Sequence, residues 1–193
     1  MYERGIEVEP VAVGGALPET LAEVWHPYFD RTYAHFCSHR HTPVEKAAGL
    51  PGALATANTL YFPHPLFASF MRHGLRVYKQ LFLNALNRWL PDPILQTDAP
   101  TTAHLTVTRQ PGRTLVHILH YVPEQRYRET PTIEDTLPLH DVGISLRADR
   151  EPRQVTTGPD GAVLSHEWRN GRVEFRVPRV IGYGIVEVQD AAP

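Results

Sequence analysis

The residues of this chain best suited to do chemistry lie close together, in the stretch TYAHFCSHRHTP at residues 32–43. The stretch contains the chain's single cysteine, Cys37, and three of its histidines, His35, His39 and His41. Histidine nitrogens bind zinc, and a cysteine near a histidine can act as a nucleophile with its base. Three interpretations are therefore open: a metal site, a nucleophilic pair, or a loop that lends its histidines to another site.

The metal interpretation depends on spacing. His35 and His39 lie four residues apart, so a helix would place both on one face, and His41 follows two residues later. However, the stretch contains no HExxH motif and no carboxylate at ligand spacing, and a chain with 11 histidines forms such clusters by chance. We expect no metal here.

Other catalytic patterns are also missing from the sequence. Cys37 follows an aromatic residue, and a lone cysteine in such a setting is typically a small buried hydrophobe. No glycine-rich phosphate loop and no G-x-S-x-G motif occurs, and His104, His117 and His120 fit satisfied histidines on strands. Four acids lie on one polar loop, where solvated surface is the ordinary role: Glu124, Glu129, Glu134 and Asp135. We assign no catalytic residue and no cofactor from these patterns.

Composition limits the class of protein. The 193 residues suit one large domain or two small ones, and 42% hydrophobic content suits a globular chain. The formal net charge of −2 does not call for nucleic acid or an anionic membrane as a partner. One cysteine cannot form an internal disulfide, and no apolar run has the length of a leader core or a membrane span. These features predict a cytoplasmic protein.

The elements that must position the histidine stretch have a mixed pattern. Residues 5–15 alternate enough for a strand, LPETLAEVW at residues 17–25 suggests one or two helical turns, and a short strand ends at Phe62. An amphipathic helix of about four turns follows and is ended by Pro91. Its apolar stripe consists of Leu75, Tyr78, Phe82, Ala85, Leu86 and Trp89.

After residue 100 the hydrophobic period changes to two. Two alternating strands flank Pro111-Gly112, and Leu115, His117, Leu119 and Tyr121 share one face of the second strand. A hairpin is predicted at Asn170-Gly171, and further short strands follow turns about every ten residues. This half is predicted to be a small antiparallel β-sandwich.

Three segments together resemble a known family: EVWHPYFDRTYAHFCSHRHTP, LYFPHPLFASFMRHGLRVYKQLFLNALNRWLPDP and TRQPGRTLVHILHYVPEQR. They resemble the C-terminal part of bacterial glycoside hydrolases that include α-L-fucosidase-like enzymes. In that family a TIM barrel precedes a β-galactosidase-type trimerisation domain with an amidotransferase-like, Rossmann-like α/β fold, and a β-sandwich ends the chain. The resemblance runs from about residue 22 onward, with its most specific part between the FPHP and LPDP sequences.

The resemblance implies an α/β plus all-β chain: a partial trimerisation domain at residues 1–92 and a C-terminal β-sandwich at 100–190. In the family the catalytic carboxylates come from the barrel, which this sequence lacks, so we expect a fragment that is inactive alone. An amidotransferase-like sheet without its first strands would leave an edge and an apolar face uncovered. We therefore expect residues 1–92 to be the less stable half, and a second copy or the missing barrel to be the partner.

The resemblance also bears on the histidine stretch, which matches a loop of an oligomerisation domain. Such a domain can place a side chain at the mouth of a neighbouring subunit's barrel, and histidine can both donate to and accept from sugar hydroxyls. The candidates for substrate contact are His39 first, then His35, His41 and Arg40. The alternative for each histidine is a structural role in closing the loop.

Two functions from different classes remain open. One is a non-catalytic assembly module of a glycoside hydrolase. The other is a stand-alone carbohydrate- or ligand-binding protein built on the sandwich, with Tyr121, Tyr127 and Trp168 as stacking platforms. An in-frame barrel upstream of Met1 in the gene would favour the first.

Overall fold

A computed structural model describes residues 5–12, 14–30, 32–36, 42–126 and 128–191. The chain divides into two compact units, Met1–Pro91 (unit 1) and Asp92–Pro193 (unit 2). Unit 1 contains, in chain order, β1 (Glu19–Pro27), β2 (Val44–Ala55), β3 (Leu60–Tyr61), α1 (Leu66–His73) and α2 (Arg76–Leu86). Unit 2 contains β4 (Leu95–Thr97), β5 (Ala103–Gln110), β6 (Arg113–His120), β7 (Leu139–Arg147), β8 (Gln154–Gly158), β9 (His166–Arg169), β10 (Arg172–Val180) and β11 (Tyr183–Gln189).

The sheet of unit 1 is antiparallel, in the order β1-β2-β3. The helical turn expected around Leu-Ala-Glu at residues 21–23 is wrong, because these residues lie in β1 and pair with β2. Intrinsic helix preference is weak over so short a segment, and pairing with a distant strand overrides it. The strand expected over residues 5–15 is also missing from the described part of that segment.

The amidotransferase-like α/β fold predicted for residues 1–92 is not supported. Such a fold needs parallel strands joined by crossover helices. The described strands of unit 1 pair antiparallel, and both helices follow the third strand instead of alternating with strands. The described chain is mostly antiparallel sheet with little helix.

One helix, α2, occupies most of the predicted helical stripe, and the shorter α1 precedes it. Gly74 takes a left-handed conformation with φ 64° and donates its N–H to the Phe70 carbonyl, which ends α1. α2 ends at Leu86, and Trp89 lies in the turn beyond it. Tyr78 and Ala85 are buried, while the rest of the stripe is half-buried or, at Leu75, exposed.

Unit 2 is built from two four-stranded antiparallel sheets, consistent with the predicted β-sandwich. Their strand orders are β4-β7-β10-β9 (sheet A) and β5-β6-β11-β8 (sheet B). The core contains alternate residues of both sheets, including Val116, Ile118, Ile144, Leu146, Val155, Val173, Phe175 and Val186. Burial at every second residue is the reason that the two-residue period in the sequence predicts this half.

Both predicted hairpin turns are confirmed. Gln110 pairs with Arg113 around Pro111-Gly112, and Arg169 pairs with Arg172 around Asn170-Gly171. Asn170 and Gly171 both have positive φ, 52° and 73°, as a two-residue type I′ turn requires. These turns fix the register of their strands locally.

Candidate functional site: the histidine loop and its hairpin arm

The histidine stretch lies in the loop that joins β1 to β2. The outer part of this hairpin, residues 23–27 and 44–50, contains no buried residue, whereas residues 51–55 are all buried. Trp25 pairs with Ala47 and Pro27 with Val44, and repeated register shifts show that the two strands are strongly bulged. We call residues 23–27 and 44–50 the hairpin arm, and residues 28–43 the histidine loop.

The ends of the histidine loop are closed by hydrogen bonds. The Tyr28 N–H donates to the Pro43 carbonyl over 2.8 Å, and the Thr42 hydroxyl donates to the Phe29 carbonyl over 2.9 Å. These bonds continue the hairpin pairing by one step. The loop is therefore held at the outer end of the arm.

His35 is the one predicted contact residue whose position the structure describes. Its carbonyl accepts from the Thr32 N–H at 2.9 Å, and its own N–H donates to the Thr32 hydroxyl at 3.1 Å. The imidazole is exposed, with its ring centre 6.0 Å from that of Phe29. The local turn fixes the backbone and leaves the ring accessible. Residues 32–36 form no helix, so His35 does not lie on the helical face that a shared metal site with His39 would use.

The other candidates, His39, His41 and Arg40, lie outside the described residues, as does Cys37. Their assignment as substrate contacts therefore stays a prediction. In the described part of the chain, no group of three or more metal-binding side chains comes together.

Exposed apolar side chains surround the arm and its loop. Trp25 is 51% exposed although it lies in the middle of a strand. The other members of this apolar set are Tyr28, Tyr33, Phe36 and Val44. Several large exposed apolar side chains within one hairpin and its loop are typical of a surface that another molecule covers. The sequence indicated the histidines but missed Trp25 and the arm, because the arm exists only through β1–β2 pairing.

The turn after α2 contacts the inner end of the β1–β2 hairpin, and we call these contacts the clamp. Arg88 binds both carboxylate oxygens of Glu19, over 2.9 and 2.7 Å, and this bond lowers the pKa of Glu19. The Trp89 indole N–H donates to the Ala57 carbonyl over 3.0 Å. These four residues line a concave site of about 600 Å³. The clamp joins the first residue of β1 and the loop after β2 to the helical part of unit 1.

Two facing acids of unit 2 share an arginine. Glu167 and Glu174 face each other across β9 and β10 in an open groove of about 1090 Å³, but Arg169 lies 2.6 Å from Glu174 and 3.9 Å from Glu167. Glycosidases also use two neighbouring carboxyl groups, one of which needs a raised pKa to act as an acid. Here Arg169 bridges the two carboxylates instead. This arrangement is an ion-pair cluster, not an acid/base pair.

Two acids of the polar loop also share an arginine. Arg126 contacts both Glu124 and Glu134 over 2.7 Å. Buried His120 is satisfied through the Leu137 carbonyl and the Thr102 hydroxyl, as expected for a sheet histidine.

Two of the three predicted stacking platforms, Tyr121 and Trp168, belong to different sheets. Tyr121 follows β6 in sheet B, whereas Trp168 lies on β9 in sheet A and donates its indole N–H to the Ala148 carbonyl. Tyr127 lies outside the described residues.

Comparison with known proteins identifies a structural relative. The chain is similar to α-L-fucosidase isoenzyme 2 from Paenibacillus thiaminolyticus, with a TM-score of 0.82 and 28% sequence identity over 91% of this chain. The chain spans 27% of the length of that protein. No family model matches the sequence, and no curated protein matches it. The predicted resemblance to α-L-fucosidase-like glycoside hydrolases is confirmed.

No helix among the described residues is long and apolar enough to cross a membrane.

Proposed function

We propose that this chain is a non-catalytic assembly module of an α-L-fucosidase-like glycoside hydrolase. The observation that carries the proposal is the similarity to an α-L-fucosidase, which extends over 91% of this chain while covering 27% of the other. Among the described carboxyl groups, the pKa is shifted for Glu19, Asp98 and Asp160, and in each case it is lowered. Such groups suit ion pairs and hydrogen bonds and are poor general acids.

The hairpin arm supports an assembly role. An arm with both faces uncovered and with exposed aromatic side chains has the composition of an interface, where aromatic residues are enriched. We assign a second copy of the chain as the molecule that covers it. His35, His39, His41 and Arg40 lie at the outer end of this arm or in the stretch that completes its loop. In the assembled enzyme they would contact substrate bound to the barrel of a neighbouring subunit.

Sedimentation velocity of the purified chain tests the assembly role. We expect concentration-dependent association at tens of micromolar, weakened by the double substitution Trp25→Ser/Tyr28→Ser on the arm. Val163→Ser is the matched control, because Val163 is equally exposed but lies in unit 2. A clean monomer, or equal association of the arm variant and the wild type, would contradict the proposal.

The alternative function is a stand-alone carbohydrate- or ligand-binding protein. The observation that favours it is the open groove on sheet A, which is lined by hydrogen-bonding side chains such as Gln96 and Ser145. A monomeric chain that binds a sugar would support this alternative against the assembly module.

A further inference from the structure

The outer face of sheet B carries a cluster of aromatic and imidazole rings. Antiparallel register places His104, Leu119 and Tyr183 side by side on β5, β6 and β11. The next row on the same face contains Thr106, His117 and Ile185. Tyr121 follows Leu119 by two residues and therefore points to the same side. We call these seven residues the ring surface.

The rings of this surface are arranged in two nearly parallel pairs. His104 and Tyr121 have ring centres 6.1 Å apart and planes inclined by 24°. His117 and Tyr183 have centres 6.1 Å apart and planes inclined by 28°. At that separation and inclination, each pair presents two offset rings to the solvent side of the sheet.

Hydrogen bonds fix one pair in place. The Tyr183 hydroxyl lies 2.7 Å from His117 Nδ1, and the Thr108 hydroxyl lies 3.0 Å from His117 Nε2. Both nitrogens of His117 are thereby used, and the orientation of the Tyr183 ring is set before any ligand arrives. Within the described part of the chain, the ring nitrogens of His104 have no hydrogen-bond partner and can bind a ligand hydroxyl.

The ring surface is open. Tyr183 is 54% exposed, and its neighbours Leu119 and Ile181 are also exposed. No acid, lysine or arginine occurs in the two rows, and the first charge on this face is Glu187, which is paired with Arg113 over 3.1 Å. This composition favours a neutral ligand with an apolar face for the rings and polar groups at its rim.

We propose that the ring surface binds the C–H face of a neutral sugar. A pyranose ring offers a flat patch of C–H groups bordered by hydroxyls, which matches exposed Tyr183 and half-buried Tyr121 bordered by His104 and Thr106. The rows span two strand spacings, or ~10 Å, and the distance from residue 117 to 121 along β6 is ~13 Å. That area suits one or two sugar rings, and it is small for the apolar centre of a stable protein interface, which buries about 800 Å² on each partner.

The proposal does not depend on the proposed function, because the sugar need not be a fucoside. The test is saturation-transfer NMR of the full chain with three separate probes: methyl α-L-fucopyranoside, lactose and cellobiose. We expect saturation on ring C–H protons of at least one probe. Tyr183→Ala should weaken its affinity by about 3- to 10-fold, the size of one aromatic contact. His104→Ala should weaken it similarly, while Tyr183→Phe keeps the ring and should stay within about 3-fold.

Trp168→Phe is the control, because it alters a partly exposed aromatic residue on the other sheet. Thermal melts of each variant establish that unit 2 remains folded. The proposal is overturned if no probe receives saturation, or if folded Tyr183→Ala and His104→Ala both bind as the wild type does. It is also overturned if Tyr183→Ala abolishes self-association, since the surface would then be an interface between protein chains.

Discussion

At the scale of single residues, charged side chains in unit 2 tie neighbouring strands together. Asp98, just after β4, accepts from the Gly143 N–H over 2.7 Å and from Arg176 over 3.0 Å. The backbone bond first, and the arginine second, lower the pKa of Asp98. Arg176 also contacts Asp141, so three elements share this cluster.

This cluster predicts a pH dependence. Because the folded pKa of Asp98 is lowered, its contribution to stability is present above the unfolded pKa of about 4 and is lost as the pH falls through the folded value. Asp98→Asn should lower the free energy of unfolding by about 0.5–1 kcal/mol at pH 7, a small effect because the side chain is more than half exposed. Urea unfolding from pH 3 to 7 measures it. The difference should shrink as the pH falls below about 4, because Asp98 then loses its charge in the unfolded state first and in the folded state afterwards, and exposed Asp149→Asn serves as control. An unchanged difference across this range would contradict the assignment.

For the histidine loop, we predict no stoichiometric zinc. The three histidines lack a carboxylate at ligand spacing, and residues 32–36 give them no helical frame. Elemental analysis of the purified chain should find well below one zinc per chain. One zinc per chain that is lost in His35→Ala or His39→Ala would refute the prediction.

At the scale of elements, the arm depends on the clamp made by Arg88 and Trp89. Trp89→Ala removes a half-buried indole and its hydrogen bond to Ala57. We expect unit 1 to lose about 2–3 kcal/mol, below the range for fully buried tryptophan, with little effect on unit 2. Limited proteolysis should cut residues 1–92 of the variant first and leave 100–190 intact. Removal of 100–190 with 1–92 left intact would overturn the division into domains.

In unit 2, Arg172 holds separate segments together, as the clamp does in unit 1. Its side chain is 13% exposed and contacts Asp92, the Pro93 carbonyl, and both the hydroxyl and the carbonyl of Ser145. It therefore fastens the segment before β4 to β7 and β10. Arg172→Ala should cost about 2–3 kcal/mol in chemical denaturation, since several charged hydrogen bonds are lost together. Exposed Arg169→Ala is the control and should leave the denaturation midpoint close to that of the wild type. Equal losses in the two variants would remove this role from Arg172.

At the scale of the whole molecule, the apolar surface is unevenly divided. Unit 1 has few buried hydrophobic residues, among them Leu54, Leu66 and Tyr78, whereas unit 2 has a continuous core between its sheets. Large apolar residues of unit 1, such as Phe67, Met71 and Val77, are exposed on or beside the helices. Burying a few hundred Å² of such surface would stabilise a complex by several kcal/mol at about 25 cal/mol per Å², before the costs of association.

Catalytic activity is also a property that we predict for the whole chain. We predict that the purified chain hydrolyses no aryl glycoside, including an aryl α-L-fucoside, because Glu167 and Glu174, which face each other in the groove of sheet A, are bridged by Arg169. Release of nitrophenol from the corresponding nitrophenyl glycosides measures this. Hydrolysis that is lost when Glu167 or Glu174 is changed to glutamine would prove the prediction wrong.

By itself the sequence determined the sandwich strands around Pro111-Gly112 and Asn170-Gly171, because alternation and turn chemistry act between neighbours in the chain. It also determined the resemblance to α-L-fucosidases. Only the tertiary structure decided that residues 19–27 form a strand, since that depends on pairing Trp25 with Ala47 across the histidine loop. It likewise placed Tyr183 beside His117 and separated Tyr121 from Trp168. Such contacts join residues far apart in sequence, and no local pattern encodes which distant strands become neighbours.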